Sequence, residues 1–132
     1  MPSFEVVGDA TYHRRKPAVA WNADAGRYLV TYERYQGTAE EDVYAVSLSF
    51  SGTVFSPDPG IAGFAAEENQ IDVAACDGSW MVVWKGDPDP DGQIFARPVA
   101  GDLALGSITN ASEGFFGHRR PVVLVGAVVV DD

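Results

Sequence analysis

An internal repeat is the feature that most constrains how this chain of 132 residues can fold. The segments 17–21 and 26–32 align with 71–75 and 78–84, and the second segment of each unit begins with glycine and ends with an aromatic residue. Valine and aromatic side chains suit a pleated strand, whereas glycine permits a turn. Each unit is therefore predicted to start with two strands joined by a turn.

Two further strands are expected in each unit. The third strand is predicted at 42–47 and 93–99, and the fourth at 53–56 and 103–108. Four short antiparallel strands per repeat are typical of a β-propeller blade, in which each sheet packs against the next. The chain is therefore predicted to be all-β and propeller-like, with a β-sandwich containing two similar hairpins as the alternative.

The repeated segments also resemble a family of bacterial β-propeller repeats. Its pattern is P-x-V-A, a turn, G-x-Y-L-V-V-W, a loop, and D-I-Y-A-R-x-V ending in D-G, and the matching residues are 17–32, 42–46 and 78–99. Ile71 departs from the pattern because it replaces the first proline of the second unit. The resemblance implies a propeller built from about fifty residues per blade.

Incomplete units flank the two complete ones. A third unit opens at 121–125 and stops after 127–130, while residues 3–6 look like the last strand of a preceding unit. A chain of this length is expected to form one domain. Its predicted parts are a partial blade 1–16, a blade 17–70, a blade 71–120 and a partial blade 121–132.

Two blades cannot close a ring by themselves. An open arc would expose apolar sheet faces and a strand edge, which natural folds normally cover. Completion by a second copy, with the strand at 4–6 pairing with 127–130 of its neighbour, predicts a homo-oligomer in which a dimer is favoured. The alternative is that the chain is a fragment of a longer propeller.

The charge and apolar pattern exclude several partners. Nineteen acidic residues against nine basic ones give a formal charge of −10. Nucleic-acid binding relies on basic side chains that release counterions from phosphates, so no nucleic-acid partner is expected. No apolar run reaches the roughly 20 residues that span a bilayer, and the first residues lack a signal-peptide pattern. The chain as written is expected to be cytoplasmic, without a membrane partner.

Two basic clusters recur just before the first strand of a unit. They are His13-Arg14-Arg15 and His118-Arg119-Arg120. Propeller geometry would place them in connections on one charged loop face, where the forked donors of arginine suit carboxylate, sulfate or phosphate groups. The structural alternative is that they pair with acidic loops of neighbouring blades, such as residues 67–68.

Three aromatic residues are candidates for stacking on a sugar. Tyr35 belongs to a connection on the same charged loop face, and Trp80 and Trp84 lie in the second strand of the second unit. Trp84 closes that predicted strand, so it is expected in the core between blades. Tyr35 is therefore grouped with the basic clusters as a predicted ligand-binding residue.

A short acidic motif suggests a metal. Asp87, Asp89 and Asp91 alternate before Gly92, the spacing with which carboxylates converge on calcium in known loops. The twelfth position of such a loop, normally a bidentate acid, is Pro98, so any calcium is expected to bind weakly. A solvated turn without metal is the preferred interpretation, and no other cofactor is expected.

Enzyme chemistry has little support in the sequence. No G-x-S-x-G motif is present, and the two histidines lie near opposite ends of the chain. No catalytic residue is therefore assigned. The leading hypothesis is a non-catalytic binding or assembly module with a charged loop face for a small polar ligand, a glycan or a protein segment. The alternatives are a glycoside-processing hydrolase of propeller type and a fragment without independent activity.

Overall fold

The computed structural model describes residues 13–35, 42–55, 60–62, 68–86, 93–111, 121–124 and 127–130. These residues form strands and turns, and no helix occurs among them. The strands are β1 (His13–Asn22), β2 (Arg27–Tyr35), β3 (Asp42–Ser49), β4 (Val54–Phe55), β5 (Gly60–Ala62), β6 (Glu68–Cys76), β7 (Ser79–Gly86), β8 (Gln93–Ala100), β9 (Thr109–Asn110), β10 (Pro121–Leu124) and β11 (Ala127–Val130).

The strands form two antiparallel sheets and a hairpin that follow the predicted repeat. The first sheet has the order β1-β2-β3-β4, with β5 also pairing with β3, and the second has the order β6-β7-β8-β9. Strands β10 and β11 pair with each other where the third unit was expected. Across the described residues the arrangement is open and not a closed ring. The prediction of an all-β chain with antiparallel sheets is confirmed. The second sheet has the four strands expected for a unit, whereas the first has a fifth strand, β5.

The fourth strand of the second unit was predicted wrongly. Within 103–108, Leu105 makes only an isolated bridge with Val99, and the strand proper is β9. The chain turns first, because Leu103 donates its N–H to the carbonyl of Ala100 and adopts a φ of 70°. After the turn, Ala104 and Gly106 hydrogen-bond to Ala100 and Pro98 of β8 without forming a regular ladder, and the ladder resumes only at Thr109–Asn110.

The first strand of each unit, β1 or β6, begins earlier than the repeat predicts. Residues 13–16 and 68–70 were expected in loops, but they lie in β1 and β6. Each strand passes through a β-bulge, an extra residue that interrupts the ladder and allows pairing to resume beyond it. The basic residues of the first cluster are therefore held on a sheet and not on a loop.

The main core lies between the two sheets. Its buried side chains come from the first sheet (Leu29, Val43, Ala45, Ile61) and the second (Val73, Trp80, Val82, Trp84, Val99). Strand partners point to the same side of a sheet, so one face of the first sheet packs on one face of the second. We call these the inner face of the first sheet and the inner face of the second sheet. The prediction that Trp84 lies in the core is confirmed, because its side chain has no exposed surface.

Polar contacts join the sheets at the end where the β1–β2 and β6–β7 turns lie. Asn22 is buried, its Nδ2 donates to the carbonyl of Ser79 at 2.7 Å, and its Oδ1 accepts from the N–H of Ala25 at 3.0 Å. The indole Nε1 of Trp80 donates to the carbonyl of Ala20 at 3.1 Å. Gly26 completes the first turn with a φ of 65°, a conformation that glycine adopts without strain. These contacts fix the spacing and register of the two sheets.

Candidate functional site at the bulge end of the sheets

The opposite end of the two sheets carries the basic residues and both bulges. We call it the bulge end and define it by residues 13–16 of β1 and 68–70 of β6. Lys16 and Gln70 occupy equivalent positions in the repeat and have φ values of 52° and 54°. Such positive values are uncommon for residues other than glycine and favour a special role. The repeat thus preserves a backbone irregularity that was not predicted from sequence.

A buried carboxylate connects the two bulges. Glu33 is completely buried on the inner face of the first sheet. Its Oε2 accepts from Nε of Arg15 at 3.1 Å, and its Oε1 lies 3.6 Å from Nζ of Lys16. The same Oε1 accepts a hydrogen bond from the backbone N–H of Gln70, in the second sheet, at 3.1 Å. Glu33 therefore links two cations of β1 to the backbone of β6.

The cations around Glu33 remain accessible. The side chains of Arg15 and Lys16 are 45% and 55% exposed, whereas Glu33 has no exposed surface. One carboxylate is shared by two cations, so the three side chains together carry one net positive charge. Charge-assisted hydrogen bonds to a buried carboxylate also limit how far the guanidinium can move. The arrangement presents a positioned cation to solvent.

The other side of the first sheet, which we call its outer face, carries two more arginines at this end. Arg14 and Arg34 are direct partners on β1 and β2, and Arg34 is in turn the partner of Asp42 on β3. The guanidinium of Arg14 lies 5.9 Å from the ring centroid of Tyr32, and that of Arg34 lies 3.4 Å from that of Tyr44. Aromatic rings attract cations through their π faces. The bulge end is thus basic on both faces of the first sheet.

The structure describes some of the predicted ligand-binding residues and not others. Arg14 and Arg15 stand next to each other in β1 but point to opposite faces of the sheet. His13 and Tyr35 are direct partners on β1 and β2. His118, Arg119 and Arg120 lie outside the described residues, as does Asp87-x-Asp89-x-Asp91, so whether the two basic clusters meet and whether calcium binds stay predictions. Within the described ranges, no group of three or more histidine, cysteine or acidic side chains could hold a metal.

Sequence reasoning missed Glu33 as the centre of the site. It is not among the predicted site residues, and it lies within β2. Alternation along β2 puts it on the same face as Leu29 and Thr31, both of which are buried. The period-two pattern was the available signal, since an acid at an inward-facing position normally requires a cationic partner.

The two tryptophans proposed as sugar platforms are not accessible. Trp80 and Trp84 are both buried in the main core, so stacking of a sugar on either is ruled out. Among the residues that the structure describes, Trp21 and Phe50 are instead the exposed aromatic side chains, at 38% and 79% exposed. The Trp21 ring lies 4.7 Å from that of Tyr28 and 6.0 Å from that of Phe50, with the rings inclined to each other. This cluster lies at the end opposite to the bulge end.

Comparison with known proteins identifies a fold but no family. No family model matches the chain, and no curated protein matches it. The hemagglutinin-neuraminidase ectodomain of parainfluenza virus 5 is similar in structure, with a TM-score of 0.63 and 11% sequence identity over 98% of this chain. The chain spans 31% of that ectodomain. This likeness supports a propeller-like arrangement of the sheets. No helix in the described part of the chain is long and apolar enough to cross a membrane.

Proposed function

We propose that this chain is a non-catalytic binding or assembly module of β-propeller type, whose bulge end contacts a small polar ligand, a glycan or a segment of another protein. The observation that carries the proposal is the sharing of one buried carboxylate, Glu33, by two accessible cations, Arg15 and Lys16. The blade boundaries 17–70 and 71–120 and completion of the ring by further blades are part of the same proposal.

The electrostatics of the bulge end favour an anionic or strongly polar partner. The whole chain has a formal charge of −10, yet the described residues of this end carry Arg14, Arg15, Lys16 and Arg34 against Glu33, Asp42 and Glu68. Local positive charge on an acidic protein raises the local concentration of anions and excludes other cations. Arginine in particular recognises planar anions with paired donors.

Glycans are the ligand class that the structural neighbour makes most worth testing. That protein is named a hemagglutinin-neuraminidase, so a glycan-related module is consistent with the shared fold. Hydrolysis is the second candidate for the same reason. It is the weaker candidate because of the contacts of Glu33, the fully buried acid among the described residues. Its carboxylate already interacts with Arg15, Lys16 and the Gln70 amide, so it is not available to act on a substrate.

A glycan array separates recognition from its absence. We expect the wild-type chain to retain acidic glycans more strongly than neutral ones, and Arg15→Gln to reduce that signal by about tenfold, the value of one charge-assisted contact. Arg27→Gln is the matched control, because Arg27 lies on the same sheet at the far end and stacks on Phe55 at 4.2 Å. Equal binding by both variants and the wild type would refute a site at the bulge end. Turnover of a fluorogenic glycoside panel would favour the hydrolase.

Self-assembly is the second element of the proposal. Val19 and Trp21 are exposed on the outer face of the first sheet. The equivalent face of the second sheet is its inner face, which carries Trp80 and is buried against the first sheet. The repeat therefore favours another sheet against the outer face of the first one, and a second copy could supply that sheet.

Sedimentation velocity tests the assembly directly. At micromolar concentration the chain is expected to sediment as a dimer or larger species, and removal of residues 1–7 is expected to weaken association. The reason is that these residues include the strand proposed to pair with 127–130 of a second copy. Trp21→Ser, which makes the exposed face more polar, should act in the same direction. A wild-type monomer over the whole concentration range would contradict the proposal.

A further inference from the structure

The end of the first sheet opposite to the bulge end carries an exposed aromatic cluster. Trp21, Tyr28 and Phe50 lie on the outer face, with ring centroids 4.7 Å apart for Trp21 and Tyr28 and 6.0 Å apart for Trp21 and Phe50. Phe50 directly follows β3 and is the most exposed of the large apolar side chains that the structure describes. The contacts among the rings position them while leaving part of their surface open to solvent. We call these three residues the aromatic platform.

The second sheet has small residues at the positions of the two exposed rings. The strand registers of the two sheets make Trp21 equivalent to Ala75 and Phe50 equivalent to Gly101. Both small residues lie on the inner face of the second sheet, at the same end as the turn between β1 and β2. The first sheet therefore departs from the repeat at this end by carrying two large aromatic side chains.

The junction of the two sheets shows why small residues are present there. A Cβ atom added to Gly101 would stand 2.9 Å from the carbonyl oxygen of Gly78 in its own sheet, and 3.2 Å from Cβ of Ala25 in the β1–β2 turn of the first sheet. Contacts this short leave no room for a larger side chain. A phenyl ring at position 101 would therefore push the turn of the first sheet away.

The aromatic platform is for the same reason not shaped for another sheet of the repeat. Val19 is exposed, whereas Val73, its equivalent in the second sheet, is buried in the core between the sheets. A sheet that covered Val19 in the way that the first sheet covers Val73 would meet Phe50 where the repeat has glycine. Such a sheet has to end before Phe50, and the aromatic platform stays open beside it.

The size of the open surface favours a small ligand over a protein. At the roughly 200 Å² that an aromatic side chain offers, the exposed parts of Trp21 and Phe50 amount to about 200–250 Å². Val54 at the border is also exposed, but Val46 and Leu48 on the same face are buried, so the surface does not continue toward the bulge end. A standard protein interface takes about 800 Å² from each partner. The platform has instead the scale of a contact with one sugar ring.

A one-sided surface also favours a ligand that is apolar on one side only. Wholly apolar small molecules are normally enclosed in pockets that bury most of their surface. A sugar ring has C–H groups on one face and hydroxyl groups around its edge, and these hydroxyl groups stay hydrated when that face alone is covered. The face of an aromatic ring carries partial negative charge, which attracts polarised C–H groups. A sugar therefore fits the platform better than an apolar molecule does.

We propose that the aromatic platform binds the apolar face of a sugar ring by stacking on Trp21 and Phe50. The inference extends the glycan recognition proposed above to a second site, at the far end of the first sheet from Arg15 and Lys16. None of the three platform residues is charged, so a neutral sugar is sufficient for this site. At the bulge end, by contrast, an acidic group is expected.

Methyl β-galactopyranoside is the probe that tests this site, because the C–H groups on one face of this sugar form a continuous apolar patch. In NMR of the indole groups, the sugar should shift the Nε1–H resonance of Trp21. The resonances of Trp80 and Trp84 should stay in place, since both side chains are buried. Glycerol at equal concentration has hydroxyl groups but no ring face and should shift none of them. Equal shifts with glycerol and the sugar would overturn the proposal.

Phe50→Ser tests the platform with little effect on the fold, because Phe50 is largely exposed. This variant should weaken binding of the galactoside by about two- to tenfold, the range for one aromatic contact, and Phe50→Tyr should keep it. Val54→Thr is the matched control on the same face and should bind as the wild type does. Unchanged binding in Phe50→Ser would refute the platform. Tighter binding of benzene than of the sugar would assign the surface to an apolar ligand and refute it as well.

Failure of this site can be distinguished from failure of the bulge end. Arg15→Gln should leave binding of the galactoside unchanged, and Phe50→Ser should leave the preference for acidic glycans unchanged. Galactoside binding without any retention of acidic glycans would refute the bulge end and leave the platform in place. If a second copy covers the platform, the Trp21 resonance shifts on dilution without sugar and the galactoside does not bind, which overturns the proposal.

Discussion

Replacing Trp84 by alanine is expected to lower the free energy of unfolding by about 3–5 kcal/mol, the range for removing a large buried aromatic side chain. Trp84 has no exposed surface and stands in the core that joins the two sheets. Its ring also stacks against Phe95, with centroids 6.0 Å apart. The loss should appear in urea denaturation as a lower midpoint with an unchanged m-value, because the surface exposed on unfolding stays similar.

Trp21 provides the matched control for this experiment. It is also a tryptophan and lies in β1 of the first sheet, but its side chain is partly exposed. Trp21→Ala removes less buried surface and should cost about 1 kcal/mol, as is common for point substitutions outside the core. Equal losses at the two positions would mean that the packing of the second sheet on the first does not decide the stability of the chain.

The part of the fold that follows the sequence repeat could be predicted. Alternating apolar residues and the glycines at 26 and 78 placed β1, β2, β6 and β7, because hydrophobic periodicity and turn chemistry act locally. The strand β9 was missed because its position depends on the turn around Leu103 and on pairing with β8. Pairing partners of short strands are set by tertiary geometry, which a local pattern does not encode.

The candidate site was predictable only as a set of residue types. The basic cluster at 13–15 was identified from the sequence. Its division between the two faces of the sheet depends on where the bulge at Lys16 lies, and no residue near Lys16 in the sequence predicts that backbone conformation. Arg15 therefore faces Glu33, while Arg14 faces Tyr32 on the other side. The distances that define the site join residues far apart in sequence, such as Glu33 and Gln70.

Glu33 has a structural role as well as a role in holding the basic residues. It is the acceptor for a backbone donor of the second sheet, so it contributes to the contact between sheets. The equivalent residue in the second sheet is Lys85, which cannot accept a hydrogen bond from a following bulge. The junction between the first and second sheets is therefore chemically distinct from the next junction in the repeat.

Glu33→Ala is expected to destabilise the chain by about 2–3 kcal/mol, because the Gln70 amide loses its carboxylate acceptor and a buried cavity remains. This loss of stability is smaller than the loss on removing one partner of a fully buried ion pair. The reason is that Arg15 and Lys16 are about half exposed, so water can hydrate them once Glu33 is gone. Asp24→Ala, which removes an acid from an exposed turn, is the control and should change stability by less than about 0.5 kcal/mol.

A double-mutant cycle then shows whether Glu33 acts through Arg15. Residues that share an ion pair show a coupling energy, whereas independent residues give additive losses. We expect Arg15→Ala to cost less than Glu33→Ala, because the Gln70 amide keeps its acceptor in the first variant and loses it in the second. The double variant should therefore be scarcely less stable than Glu33→Ala alone. Strict additivity in urea denaturation would mean that the Arg15–Glu33 contact contributes nothing measurable, and that Glu33 stabilises the chain through the second sheet only.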